Sequence, residues 1–299
     1  MQPIQSMPID PLAILSGMVR SIVAIAAVIL IGLTERAGAE EFSFRPETVY
    51  QGDALQLHGE SGAAKARLNR ITISLFKEAN GSAFGLMPIG VEAEPGEYKL
   101  EFLDTAGSVI HTLTVDVKDA HFPKQDIVIS QALSQLRATT EEARTVRAFL
   151  AIASPTRYWT TLFQPPVPGC VNSPFGASRL HNGKPTGDYH GGVDQRGAKG
   201  SPIHAATGGT VRIVRMFRLR GGTVAIDHGQ GLETIYMHMS RFAVRQGQRV
   251  RAGAIIGYVG STGRATGPHL HWSLYANGRP VNPNRWVKLT SCDAPPDQP

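Results

Sequence analysis

The sequence predicts an all-β protein with a short helical linker between two β domains. Three observations predict it. Residues 41–118 alternate apolar and polar side chains in short runs broken by turn residues. Residues 124–155 instead repeat apolar residues at helical spacing. From Val171 to about Leu289 short apolar runs return, separated by glycine-rich turns.

Residues 1–39 read as a secretory signal. Arg20 precedes the apolar run Ile22–Leu33, and Ala37-Gly38-Ala39 offers a small-x-small cleavage site. The run is shorter than the roughly 20 residues a membrane-spanning helix needs. An uncleaved anchor is the competing reading, because the segment before Arg20 is long and weakly charged. The chain is therefore expected to be exported, periplasmic or extracellular, and membrane-anchored if the signal stays on.

Residues 40–120 are expected to form a small β-sandwich of immunoglobulin-like type. Ala54–His58 and Arg70–Leu75 alternate. Tyr98–Phe102 and Val109–Val117 flank the turn Asp104–Ser108, which suggests a hairpin. His58, His111 and His121 are isolated and carry no chemistry by themselves.

Residues 121–160 are expected to be a helical linker. Leu133 and Leu136, then Val146, Phe149 and Leu150, recur at helical spacing, and Thr140 with Glu141 and Glu142 marks a helix start. Residues 161–290 form the second β domain, with strand candidates at 210–214, 223–227, 233–237, 254–259 and 269–274. The proline-rich tail 291–299 is expected to be disordered.

Charge divides the same way. Residues 40–160 carry 12 Lys/Arg and 16 Asp/Glu, whereas residues 161–299 carry 16 and 6. A positive field draws anionic partners. For an exported protein that partner is the cell envelope and not nucleic acid. The two cysteines, Cys170 and Cys292, bracket the basic domain. In an oxidising compartment they read as one disulfide, and the lack of any CxxC spacing argues against a zinc–thiolate site.

Seven of the ten histidines lie beyond residue 180. Among them are His190-Gly-Gly-Val-Asp194, His238, and His269-Leu-His271. Histidine and carboxylate hold catalytic zinc, with three protein ligands and one open position. Five candidates are present for that task and for acid–base work beside it. His269 and His271, two apart in a strand, leave the same face of a sheet. The glycine pair after His190 suits close backbone approach. No HExxH occurs, so a zincin with its glutamate base is excluded. Any base must be a histidine, whose pKa lies near neutrality.

The segments Ser173-Pro-Phe-Gly176 through His190-Gly-Gly-Val-Asp194, Tyr236–Ser240, Gly257–Gly263 and Thr266–His271 together resemble the lysostaphin-type zinc metalloendopeptidases of peptidoglycan. The likeness covers nearly all of 165–288, with the motifs in the family's order. Met237 and Met239 around His238, and the glycines at 208–209, depart mildly from the pattern. The resemblance implies a lysostaphin-type antiparallel β catalytic domain (a duplicated hybrid motif). It implies one Zn2+ per chain held by His190, Asp194 and His271, with His238 and His269 as catalytic histidines. It gives His181, His204 and His228 no role. Peptidoglycan is the implied partner, and the upstream domain is left to bind the wall or another envelope protein. The alternative is a non-catalytic envelope protein that binds and activates a cell-wall amidase. Such relatives have lost metal ligands, whereas all five positions are filled here.

Overall fold

The computed structural model describes residues 42–160 and 163–293. The signal or anchor segment and the end of the tail lie outside these residues. Among the described residues no helix is long and apolar enough to cross a membrane.

The first β domain is a two-sheet sandwich. One sheet orders Ser43–Arg45, Ala54–Gly59, Ala83–Pro88 and Phe76–Lys77. The other orders Val49–Tyr50, Val109–Lys118, Gly96–Leu103, Lys65–Leu68 and Ile71–Ser74. Leu55, Leu57, Met87, Leu100, Phe102 and Val115 fill the space between them. Gly96–Leu103 and Val109–Lys118 pair antiparallel across the expected turn. Ala83–Pro88 shows no alternation because every residue of it is buried.

The segment after the sandwich departs from a plain helical linker. It begins with a strand, Lys124–Ile127, which pairs in parallel with Ser178–His181. Its partner lies some fifty residues ahead, so no local pattern announces it. Two helices follow, Gln131–Ser134 and Thr140–Leu150. The second is capped by Thr139, whose hydroxyl accepts from the Glu142 N–H at 3.1 Å. Its buried stripe is Glu142, Val146 and Phe149.

The second domain is built on an eight-stranded antiparallel sheet. In order it runs Val171–Ser173, Val193–Arg196, His269–Ala276, Leu232–Met239, Gly221–Gly229, Gly209–Phe217 and Arg249–Val250, with Arg279–Val281 beside His269–Ala276. Side-chain parity splits it into two faces. Leu270, Trp272, Leu274, Val224, Ile226 and Tyr236 pack into a core that also takes Ile203 and Ile256 of a smaller three-stranded sheet. Ala225, Ile235 and Met237 face the opposite way and meet Val146 and Phe149 of the helix. The helix thus covers part of the sheet face on which the odd-numbered residues of 269–275 stand.

From Phe42 onward the chain is one compact unit. Phe84 and Leu86 of the sandwich belong to the core of the second domain. Phe84 packs at a tilt against Trp159 (5.9 Å between centroids), and Trp159 meets Trp286 at 5.5 Å. Arg285 donates to the buried Asp53 carboxylate at 2.6 and 3.1 Å. Cys170 and Cys292 form a disulfide. Residues 291–293 keep a fixed course, because Ser291 bridges to Val171 and Cys292 N–H donates to the Val171 carbonyl.

Candidate metal centre

All five sequence-selected residues reach one cavity of about 250 Å³. Strand register explains how. Asp194 stands directly opposite His271 in the antiparallel pair, and Met237 flanks His271 on its other side. Those three positions form one row across three strands, and His238 follows Met237. His269 and His271 leave the same face, while Leu270 and Trp272 enter the core. His190 comes in from the turn that precedes Val193–Arg196.

Three atoms converge in this row. His190 Nε2 lies 3.0 Å from His271 Nδ1 and 3.1 Å from Asp194 Oδ1, and His271 Nδ1 lies 2.8 Å from Asp194 Oδ1. Ligands at about 2.0–2.1 Å around a tetrahedral ion stand roughly 3.3 Å apart, so this spacing suits one small cation. The outer contacts orient the rings. His190 Nδ1 lies 2.9 Å from the Pro174 carbonyl, so it carries the proton and Nε2 offers its lone pair. His271 Nε2 lies 2.8 Å from Ser273 Oγ, which leaves Nδ1 for the cluster. Burial alone would raise the Asp194 pKa, but the imidazoles of His190 and His271 outweigh it and hold the carboxyl well below its ordinary value. Burial, only partly opposed by Asp194, lowers His271 to about 4. Both groups are thus in the deprotonated forms that bind metal.

The other two histidines share a different pattern. His238 Nδ1 is 2.8 Å from the Thr262 carbonyl and His269 Nδ1 is 2.9 Å from the Gly267 carbonyl. Each ring therefore keeps Nε2 free toward the cavity. Their centroids are 4.9 Å apart. His238 has a φ of 60°, a left-handed conformation that a histidine rarely adopts. Its N–H donates to the Arg220 carbonyl at 3.0 Å, so strand, loop and side chain together hold the strained backbone. Burial, then the neighbouring His269 and His271, push the His238 pKa down to about 3.

The glycine pair divides in function. A Cβ on Gly192 would come within 2.4 Å of Ser273 Oγ and 2.8 Å of His271 Nε2, whereas one on Gly191 would find only ordinary contacts near 3.8 Å. Only Gly192 is required by close approach.

Several participants carry no motif. Arg179 Nη2 lies 3.2 Å from Asp194 Oδ2, the oxygen turned away from the cluster. Glu142 is buried in the helix, yet its carboxylate accepts from the N–H groups of Leu219 and Arg220 and from Arg220 Nη1 at 2.8–3.2 Å. It fastens the loop whose carbonyl holds His238. In the sequence Glu142 reads only as a helix-start residue, and nothing local points to residue 219. His181 lines the cavity. His204 bonds the Gly253 carbonyl, and His228 is fully buried between the Gly208 carbonyl and Thr234 Oγ1. No residue of 42–118 lines this cavity, although Ile127 and Ile129 do. A second cavity of about 570 Å³ adjoins it, sharing Arg179, Asp188 and Tyr189 and reaching Gln51, Glu92 and Asp119.

Residues 188–283 match the model of peptidase family M23. The DD-carboxypeptidase/endopeptidase Mpg of Neisseria meningitidis is 44% identical over 113 residues, which is 38% of this chain and 26% of that protein. The peptidoglycan DD-endopeptidase ShyA of Vibrio cholerae is 40% identical over 112 residues, again 38% and 26%. The match thus spans about a quarter of the length of these curated relatives. A crystal structure of an M23-family protein from Pseudomonas aeruginosa superimposes over 81% of this chain and 96% of its own, with 26% identity and a TM-score of 0.60. That likeness extends beyond the matched domain.

Proposed function

Its C-terminal domain makes this chain a member of peptidase family M23, and on that premise we propose that it is a zinc-dependent endopeptidase acting on peptide stems or cross-links of peptidoglycan in the cell envelope. The observation that carries the reading is the pairing of two sets: three converging lone-pair atoms and, beside them, two imidazoles with free Nε2 atoms.

On this reading His190, Asp194 and His271 hold one Zn2+. Bound zinc would polarise the scissile carbonyl and lower the pKa of water to about 7. His269, with Nδ1 held by the Gly267 carbonyl and Nε2 free 3.9 Å from Asp194 Oδ1, takes the proton of the attacking water. It then returns the proton to the leaving amine. His238, whose proton affinity is depressed, stays neutral and orients the water by accepting a hydrogen bond at Nε2. Arg179 and Ser273 keep Asp194 and His271 in position. The disulfide accords with an oxidising compartment, and the basic charge of residues 161–299 accords with an anionic wall.

Zinc content together with digestion of purified sacculi tests the proposal. Release of peptide fragments, identified by mass spectrometry, is expected. A zinc-loaded protein that releases none would overturn it.

A further inference from the structure

We propose that Arg264 is a docking point for a free carboxylate on the substrate beside the scissile amide, so that the cleft selects anionic cross-links over neutral ones. The proposal rests on the endopeptidase reading above. Three arginines, Arg179, Arg220 and Arg264, line the cavity that contains the histidines. Two are committed within the protein. Arg179 pairs with Asp194 at 3.2 Å and Arg220 with Glu142 at 2.8 Å. Among the described residues Arg264 makes no ion pair, although it is half-buried.

Its backbone is fixed, because the Arg264 N–H donates to the Leu219 carbonyl at 2.8 Å. From that set point Arg264 lines the cavity. Its surroundings are mostly of its own sign: burial and then the charges of Arg137, Arg179 and Arg220 pull its pKa down, and only Asp188 acts the other way. Asp188 is exposed and not in salt-bridge contact with it. A half-buried cation crowded by like charges is unfavourable in the free protein, and a bound anion would relieve it.

A carboxylate suits this cation, since its two oxygens match the planar fork of donors. A bridge made only of glycine offers no such group. A cross-link whose leaving nitrogen sits on a carbon that also bears a carboxylate, as in a diaminopimelate-type residue, places an anion next to the bond to be cut.

Two cross-linked peptides test this, identical except that the carboxylate beside the scissile amide is free in one and a carboxamide in the other. The full-length, zinc-loaded protein is expected to prefer the free acid by about 10- to 100-fold in kcat/KM, the range of a charge-assisted hydrogen-bond pair. The preference should appear mainly in KM. Arg264→Gln should reduce it to within about threefold, and Arg264→Lys should keep an intermediate preference. Arg215→Gln, whose parent side chain pairs with Glu141 outside the cavity, should keep the full preference and so controls for a mere loss of positive charge. Equal cleavage of the two peptides by the wild type overturns the proposal, as does an undiminished preference in Arg264→Gln. Calorimetric binding of both peptides to His269→Ala, with and without Arg264→Gln, separates the two readings. Arg264-dependent binding of the acid, with no cleavage by the wild type, would sink the endopeptidase reading alone. No acid selectivity in either binding or cleavage sinks this one.

Discussion

In the N-terminal sandwich the strand Val109–Lys118 turns Val115 and Val117 inward and leaves Thr114 and Asp116 outside. In the second domain Gly221–Gly229 and Leu232–Met239 are buried along their whole length, because one face meets the core and the other lies under the helix or the cleft. Polar groups follow the same division. The sandwich buries little beyond Asp53 and Ser82, while the central sheet buries Thr223, Asp227, His228, Glu233, Thr234, His238 and Ser273. One region buries almost only apolar side chains. The other accepts costly buried polar groups and hydrogen-bonds most of them, although both carboxylate oxygens of Glu233 lack a partner among the described residues. His228 and His238 make the point within a single sheet. Both are buried, but both nitrogens of His228 are bonded, whereas only Nδ1 of His238 is. The free nitrogen of His238 is the one available for the proposed chemistry.

This contrast can be broken at the candidate site first. His269→Ala should retain its metal and its unfolding midpoint yet lose about 10²–10⁴-fold in kcat; full activity would dismiss the assigned role. His190→Ala should lose the bound metal as well, read by elemental analysis. The sandwich should respond in the opposite sense. Leu57→Ala, wholly buried between the sheets, should cost about 2–5 kcal/mol in denaturant unfolding while the folded fraction turns over nearly as before. Replacing both Cys170 and Cys292 by Ser should cost about 2–5 kcal/mol, since the bridge spans 122 residues.

A finer test uses the glycine pair. Gly192→Ala should lower metal affinity by about 10- to 100-fold, because the new methyl displaces Ser273 and His271. Gly191→Ala should bind metal as the parent does. The smallest effect is a pH dependence. Burial lowers His228 from 6.5 to about 4. The unfolded chain therefore takes up a proton that the folded one refuses, and stability falls as pH drops from 6.5 toward 4. Between pH 7 and pH 5 this site should cost about 1–2 kcal/mol. His228→Gln should flatten the curve measured by denaturant titration.

Much of the fold is readable along the chain because its long strands carry local signals: alternation in the sandwich, and glycine turns between apolar runs after it. The strands left unmarked are those whose neighbours are distant or whose two faces are both covered. Lys124–Ile127 is a strand only because Ser178–His181 lies beside it, and Ala83–Pro88 is apolar throughout because it lies between two cores. The domain contact has the same character. Phe84 looks like any sandwich residue until Trp159, itself packed on Trp286, is placed against it. Cutting the chain at residue 161 would strip that contact from the second domain.

By itself the sequence determined the β architecture, the two-cysteine framework and the five residues with chemistry to offer, since composition and short-range spacing carry those. Tertiary structure alone decided that Asp194 faces His271, that Gly192 and not Gly191 must lack a side chain, and that Glu142 secures the loop behind His238. It also left Arg264 lining the cleft with no ion-pair partner among the described residues. Each of these depends on which strands are neighbours, and strand pairing is set by the packing of whole faces rather than by any run of adjacent residues.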